Sequence, residues 1–184
     1  MIAKTSTKTD RQGDWMQTFS GRQFWPIDPR PEEVFIEDIA HALSMMCRYN
    51  GHCNRFYSVA EHSVLVSRNV PDDDALWALL HDASEAYIAD IVRPAKRFIE
   101  GYRRVEDRIM DAVCQAFELA IIMPASVARA DSAILADEMA QLMRPAPSSW
   151  YLPFPPIGVE IQGLEPAAAE ALFLYRFHEI TSNR

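Results

Sequence analysis

Cysteine is scarce in this 184-residue chain: Cys47, Cys53 and Cys114 cannot all pair with one another and form no CxxC motif, which excludes a disulfide framework. Positive charge is also short, with 18 Lys and Arg against 26 Asp and Glu and a formal net charge of -8. That balance gives no general attraction for a nucleic acid polymer or an anionic membrane surface, so a polyanionic substrate needs local cations or a metal. No apolar run approaches a membrane span, and the opening MIAKTSTKTDRQGD lacks the apolar segment of a secretory signal. These absences lead us to expect a cytoplasmic protein. At 49% hydrophobic residues the chain can bury one sizeable core, and its length favours a single domain over residues 1–184.

Residues 1–14 are polar and read as flexible, and QTFSGRQFWPIDP, within 15–30, reads as a short extended hairpin turning at Ser20-Gly21. Beyond Pro31 the apolar spacing becomes helical. Ile39, Ala42, Leu43 and Met46 recur at three and four residues, behind the acidic first turn of Glu37 and Asp38. Helices are expected near 37–48, 58–69, 72–89, 100–120, 125–143 and 165–181, so the fold class is an all-α bundle. The proline-rich stretch at 145–158 is expected to cross the surface and fold back over the body.

The informative residues are ionisable ones on apolar helix faces, where an unpaired charge is costly. His62 shares a face with Val59, Leu65 and Val66. His81 and Asp82 extend the stripe of Leu76, Leu79 and Leu80, and Asp131 stands between Val127 and Ile134. Each alone has the ordinary explanation of a hydrogen-bonded core residue. Together, two neutral imidazoles and two carboxylates can share one divalent cation, which neutralises the buried negative charge. Cys47, His52 and Cys53 also lie close enough in sequence to suggest zinc, but they lack a fourth ligand and regular spacing.

The order His, then His-Asp, then a distant Asp resembles the metal-ligand pattern of the HD-domain phosphohydrolase superfamily. YSVAEHS at 57–63, LLHDASEAYIAD at 79–90 and ARAD at 128–131 are similar to its 5'-deoxynucleotidase branch. The resemblance implies an HD-domain helical bundle with His62, His81, Asp82 and Asp131 as metal ligands. It also implies an enzyme that hydrolyses the 5'-phosphate of (deoxy)nucleoside monophosphates with a metal-activated water. Some small HD proteins that are similar in the TFSGR-to-AEHS region instead release triphosphate from deoxynucleoside triphosphates, and a non-catalytic nucleotide- or metal-sensing module is the reading of another class.

Further roles follow from the same resemblance. Glu85, four residues after His81, is placed as a general acid or base, with an exposed helix Glu as the ordinary alternative. Asp90 is placed toward the sugar or leaving oxygen, or else bonds its own backbone as a turn Asp. Arg48 would bind phosphate and Tyr49 would stack on sugar or base, where the similar enzymes carry Arg-Trp at a slightly different spacing. Arg93 and Lys96, beside Pro94, offer phosphate-binding cations or are solvated loop residues. One divalent metal is implied: His and carboxylate ligands suit Mn, Fe, Co, Ni and Zn, with Mg a less natural fit. The expected partner is a small-molecule nucleotide, with no nucleic acid polymer and no membrane, and a homodimer is left open.

Overall fold

A computed structural model describes residues 10–182, and the part of the expected flexible segment at 1–9 lies outside them. Within the described part of that segment, Arg11 is fastened, 2.6 Å from Glu33 and 2.9 Å from Asp28, with its guanidinium over Trp25.

The expected hairpin is present. Strands β1 (Met16–Gln17) and β2 (Gln23–Phe24) pair antiparallel with Met16 opposite Phe24. Gly21 supplies the left-handed turn residue at φ 80°. Ser20 then ties the turn to the next helix, since its amide and hydroxyl donate to Asp38 at 2.6 and 2.8 Å. Phe24 is fully buried and stacks on Tyr87 at 3.8 Å, so the hairpin is packed as part of the core.

The rest is helical, as the apolar period requires. Helix α1 (Ile36–Met45) is followed by a 3-10 turn at Arg48–Gly51 and by α2 (Val59–Ser67), which starts on a Ser58 N-cap accepting from the Glu61 amide at 3.0 Å. Helix α1 ends earlier than its pattern predicts, because the chain leaves it to pair Cys47 with Ser58 and to donate the Arg48 amide to Tyr57 at 2.9 Å. Helices α6 (Tyr102–Ala116), α7 (Ala125–Leu142) and α8 (Pro166–Thr181) follow the expected spans. The core centres on α8, whose fully buried Ala169 and Phe173 pack with Ile39 and Leu43 of α1, and with Val59, Ala60 and Val64 of α2. No helix among the described residues is long and apolar enough to cross a membrane.

The expected single helix at 72–89 is broken. A 3-10 turn at Asp72–Asp74 leads into α3 (Ala75–Leu80), residues 81–84 form turns, and α4 covers Glu85–Ile88. The cause is local. His81 Nδ1 donates to the Ala78 carbonyl at 2.7 Å and so competes for a helical acceptor, while Ala83, Glu85 and Tyr87 bond three residues back rather than four. After α4 the chain reverses through Ala89 at φ 68° into the short α5 (Arg93–Lys96).

The proline-rich crossing returns over the body as expected, and its far end is held by side chains. Asp137 accepts from the amides of Ile157 and Gly158. Gln141 both donates to Val159 and accepts from Ile161, and Glu61 accepts from Gln162, Gly163 and Leu164 at 2.8, 3.1 and 2.8 Å.

Candidate metal centre

His62 comes from the middle of α2 and is fully buried, His81 and Asp82 come from the turn that ends α3, and Asp131 lies one and a half turns into α7. The fold brings His62, His81 and Asp131 to one point, with Asp82 against the two imidazoles. His62 Nε2 lies 3.3 Å from His81 Nε2, 3.2 Å from an Asp131 oxygen and 3.8 Å from an Asp82 oxygen. His81 Nε2 is 3.2 Å from Asp82 and 3.8 Å from Asp131. His62, His81 and Asp131 each offer a ligand atom within 4.8 Å of the others, the spacing of a group that can hold a metal ion. Ligand atoms about 2.1 Å from a tetrahedral ion lie roughly 3.4 Å apart, which matches these separations.

The protonation states sharpen the point. His62 Nδ1 faces a carboxylate oxygen of Glu138 at 2.8 Å, and His81 Nδ1 faces the Ala78 carbonyl at 2.7 Å. Both partners only accept, so both Nδ1 atoms carry hydrogen and both Nε2 atoms face each other, each able to take a proton or a cation. Two lone pairs and two carboxylates meeting at van der Waals distance repel unless a proton or a cation lies among them. The charge balance agrees: burial opposes a charged His81, yet Asp82 and Asp131 raise it well above the usual imidazole range. Burial likewise opposes ionisation of Asp82 and Asp131, and the two imidazoles hold both far below the ordinary carboxylate value. The donor set therefore fits a divalent cation, which supplies the positive charge that these groups otherwise draw from protons.

Glu138 is the functional residue that the sequence reading missed. It is fully buried in α7, and beyond His62 it binds Arg48, whose Nε lies 3.2 Å away, and accepts a short hydrogen bond from the Tyr49 hydroxyl. Burial would raise its carboxyl, but Arg48 and then His62 bring it down to about 2. Such a carboxylate behind a ligating His fixes the ring's tautomer and orientation. The signal was available, because Glu138 follows Asp131 by seven residues and continues the helix face through Ile134.

This corrects the placement of Arg48 and Tyr49. Neither is a free substrate contact: the Arg48 guanidinium is committed to Glu138 and reaches Asp82 at 3.6 Å, and the Tyr49 hydroxyl is taken by Glu138. Tyr49 and Asn50 both sit in the left-handed region, at φ 56° and 54°; Tyr49 meets Glu138 of α7 while Asn50 stays exposed. His52 is exposed and apart from the metal group, so the Cys47, His52 and Cys53 zinc reading gains no support from the geometry.

Glu85 is brought near the centre but by a different route from the one expected, since the break at 81–84 replaces the helical turn between it and His81. It is buried beneath Lys96, whose Nζ lies 3.2 Å from Glu85 and 3.0 Å from Glu106. Burial, and then the charges of Asp82 and Asp90, push Glu85 up to about 8 against the pull of Lys96. Asp90 lies past the end of α4 in the loop before α5. Arg93 is largely exposed, with Nη2 3.9 Å from Asp131. His81, Asp82, Arg93 and Lys96 line one open cleft of ≈ 1430 Å³, together with Arg97, Arg103 and Arg104.

No family model matches the chain. It is 36% identical over 173 residues to the uncharacterized protein YfdR of Escherichia coli (strain K12), an alignment spanning 92% of this chain and 97% of that one. It is also 41% identical over 126 residues to an uncharacterized protein of Rhodobacter capsulatus, across 63% of this chain and 64% of the other. With the identity to YfdR carried along nearly the whole length of both chains, the protein belongs to the family that includes YfdR.

Proposed function

We propose that the protein is a metal-dependent phosphohydrolase of the HD-domain superfamily that cleaves the 5'-phosphate from (deoxy)nucleoside monophosphates. The observation that carries this reading is the convergence of His62, His81 and Asp131, with Asp82 beside them, at the edge of a cleft that His81, Asp82, Arg93 and Lys96 line. The resemblance of the motifs around these residues to the 5'-deoxynucleotidase branch supplies the substrate class. A bound divalent ion would supply Lewis acidity toward the phosphoryl group and a water acidic enough to react near neutral pH.

The chain's own residues do the rest. Glu138 holds the His62 ring in the ligating tautomer, and the Ala78 carbonyl does the same for His81. Arg93 is the exposed cation at the cluster's edge and takes a phosphate oxygen. Lys96 bridges Glu85 and Glu106, so an arriving phosphate competes for its ammonium. Glu85, with its carboxyl near neutrality, exchanges a proton with the reacting phosphate or leaving oxygen as Lys96 shifts. Asp90 is assigned to the sugar.

The test is a matrix of metals and nucleotides read by product separation: dAMP with Mn, Co, Ni, Zn and Mg should release inorganic phosphate with at least one of them. A second reading, release of triphosphate from deoxynucleoside triphosphates, is favoured by the further cations Arg97, Arg103 and Arg104 in the cleft lining. Triphosphate from dATP would select it. Metal-dependent nucleotide binding without any product would replace both by a sensing module, and absence of metal binding would overturn all three.

A further inference from the structure

Apart from the metal centre, two nucleophilic side chains meet at the ends of the turn that carries Arg48 and Tyr49. The sulfurs of Cys47 and Cys53 lie 3.6 Å apart, and both residues are half-buried, whereas Cys114 is buried elsewhere. We propose that Cys47 and Cys53 form a reversible disulfide by exchange with small-molecule disulfides such as oxidised glutathione. A disulfide needs its sulfurs about 2.05 Å apart, so closure requires an approach of about 1.5 Å.

The backbone holds the two ends in place. On one side Cys47 pairs with Ser58, flanked by the Arg48 amide bond to Tyr57 and the Val59 amide bond to Met46. On the other, the Asn54 amide donates to Leu142 at 2.7 Å. Cys53 also approaches the Arg48 carbonyl at 3.9 Å, inside the same turn. A pair that near, in a chain with no disulfide framework, has the character of a reactive dithiol rather than a structural crosslink.

The chemistry balances. The Cys47 thiolate attacks one sulfur of the small disulfide, forming a mixed disulfide and expelling one thiolate. Cys53 then loses its proton and attacks the Cys47 sulfur, which breaks the mixed bond and expels the second thiolate. Two thiols and one disulfide become one protein disulfide and two small thiols. Burial and the neighbouring Cys47 sulfur push the Cys53 thiol up to about 11, which disfavours Cys53 as the source of the first thiolate.

Trypsin makes the test direct, because Arg48 separates the two cysteines and Arg55 follows the second. The full chain is equilibrated, folded, across graded ratios of reduced to oxidised glutathione, quenched in acid, alkylated, digested and weighed. Toward the oxidised end the peptide ending at Arg48 should appear joined to Tyr49–Arg55, with the loss of two hydrogen atoms and of both alkylated forms. Reduction should restore the separate peptides. In Cys53→Ser, Cys47 should accumulate as its glutathione adduct. The proposal fails if the two peptides stay separate at every ratio, if each carries its own glutathione in the native sequence, or if the link runs to Cys114. It does not depend on the metal reading, so its failure leaves that reading untouched.

Discussion

Glu138 and Glu85 are both buried acids beside the same centre, yet their surroundings drive them in opposite directions. Arg48 and His62 hold Glu138 ionised, so removing that carboxylate leaves a buried guanidinium without its partner. Glu138→Ala should cost about 3–5 kcal/mol in urea unfolding. The milder Glu138→Gln should fold and lose about 10–100-fold in metal affinity, read by competition with a chromophoric chelator. Unchanged affinity would show that His62 does not depend on it for orientation. Glu85 sits at about 8, well above an unfolded glutamate near about 4.3, so the folded state retains a proton that the unfolded state releases. Stability of the metal-free protein therefore falls as pH rises from about 4.3 to 8, and the loss is complete above that window. Glu85→Gln should remove this slope, with a gain over the native sequence of about 1–3 kcal/mol at high pH and none at low pH. A gap independent of pH would contradict the assignment. With metal bound, Glu85→Ala should keep the ion and lose about a hundredfold or more in turnover. The four candidate ligands were legible because each interrupts an apolar stripe. The partners of Arg48 and Tyr49 were not, because they depend on left-handed backbone at Tyr49 and Asn50 that the sequence pattern does not signal.

At the scale of elements, apolar period and caps located most helices, and the failures share one cause. Where a side chain or a bridge takes over a backbone partner, the helix stops before its pattern does. His81 takes the Ala78 carbonyl and breaks the segment expected at 72–89, and the Cys47–Ser58 bridge cuts α1 short. The break helps to place the site, since His81 and Asp82 occupy the turn itself, at the edge of the cleft. Helix α2 is nearly all buried and owes its start to a fully buried Ser58. Ser58→Ala should therefore destabilise by about 1 kcal/mol, measured by chemical denaturation, and more if the buried Glu61 amide finds no new acceptor. No change would mean that another acceptor replaces the cap.

For the whole molecule, candidate ligands from α2, the turn after α3 and α7 make the proposed metal centre a junction between segments distant in sequence. An ion bound there and not in the unfolded chain stabilises by mass action, by about 2.7 kcal/mol at a hundred times its dissociation constant. For a chain of this size that raises Tm by about 5–10 °C. A chelator should reverse the shift, and His62→Ala should abolish it. A shift that survives in His62→Ala would place the stabilising ion elsewhere. The all-α class and the return of the proline-rich crossing could be read from composition and period, but the anchor of that crossing could not, because the acceptor lies some hundred residues away. Glu61, the residue before His62, gathers the amides of Gln162, Gly163 and Leu164 in a stretch with no strand partner. In hydrogen exchange those three amides should behave as one latch: slow together in the native protein, and released together by Glu61→Ala while the α8 amides stay protected. The last helix would then be held by its apolar face and by the side-chain bonds of Glu170 to His41 and of Arg176 to Ser67, with residues 162–164 before it free to breathe.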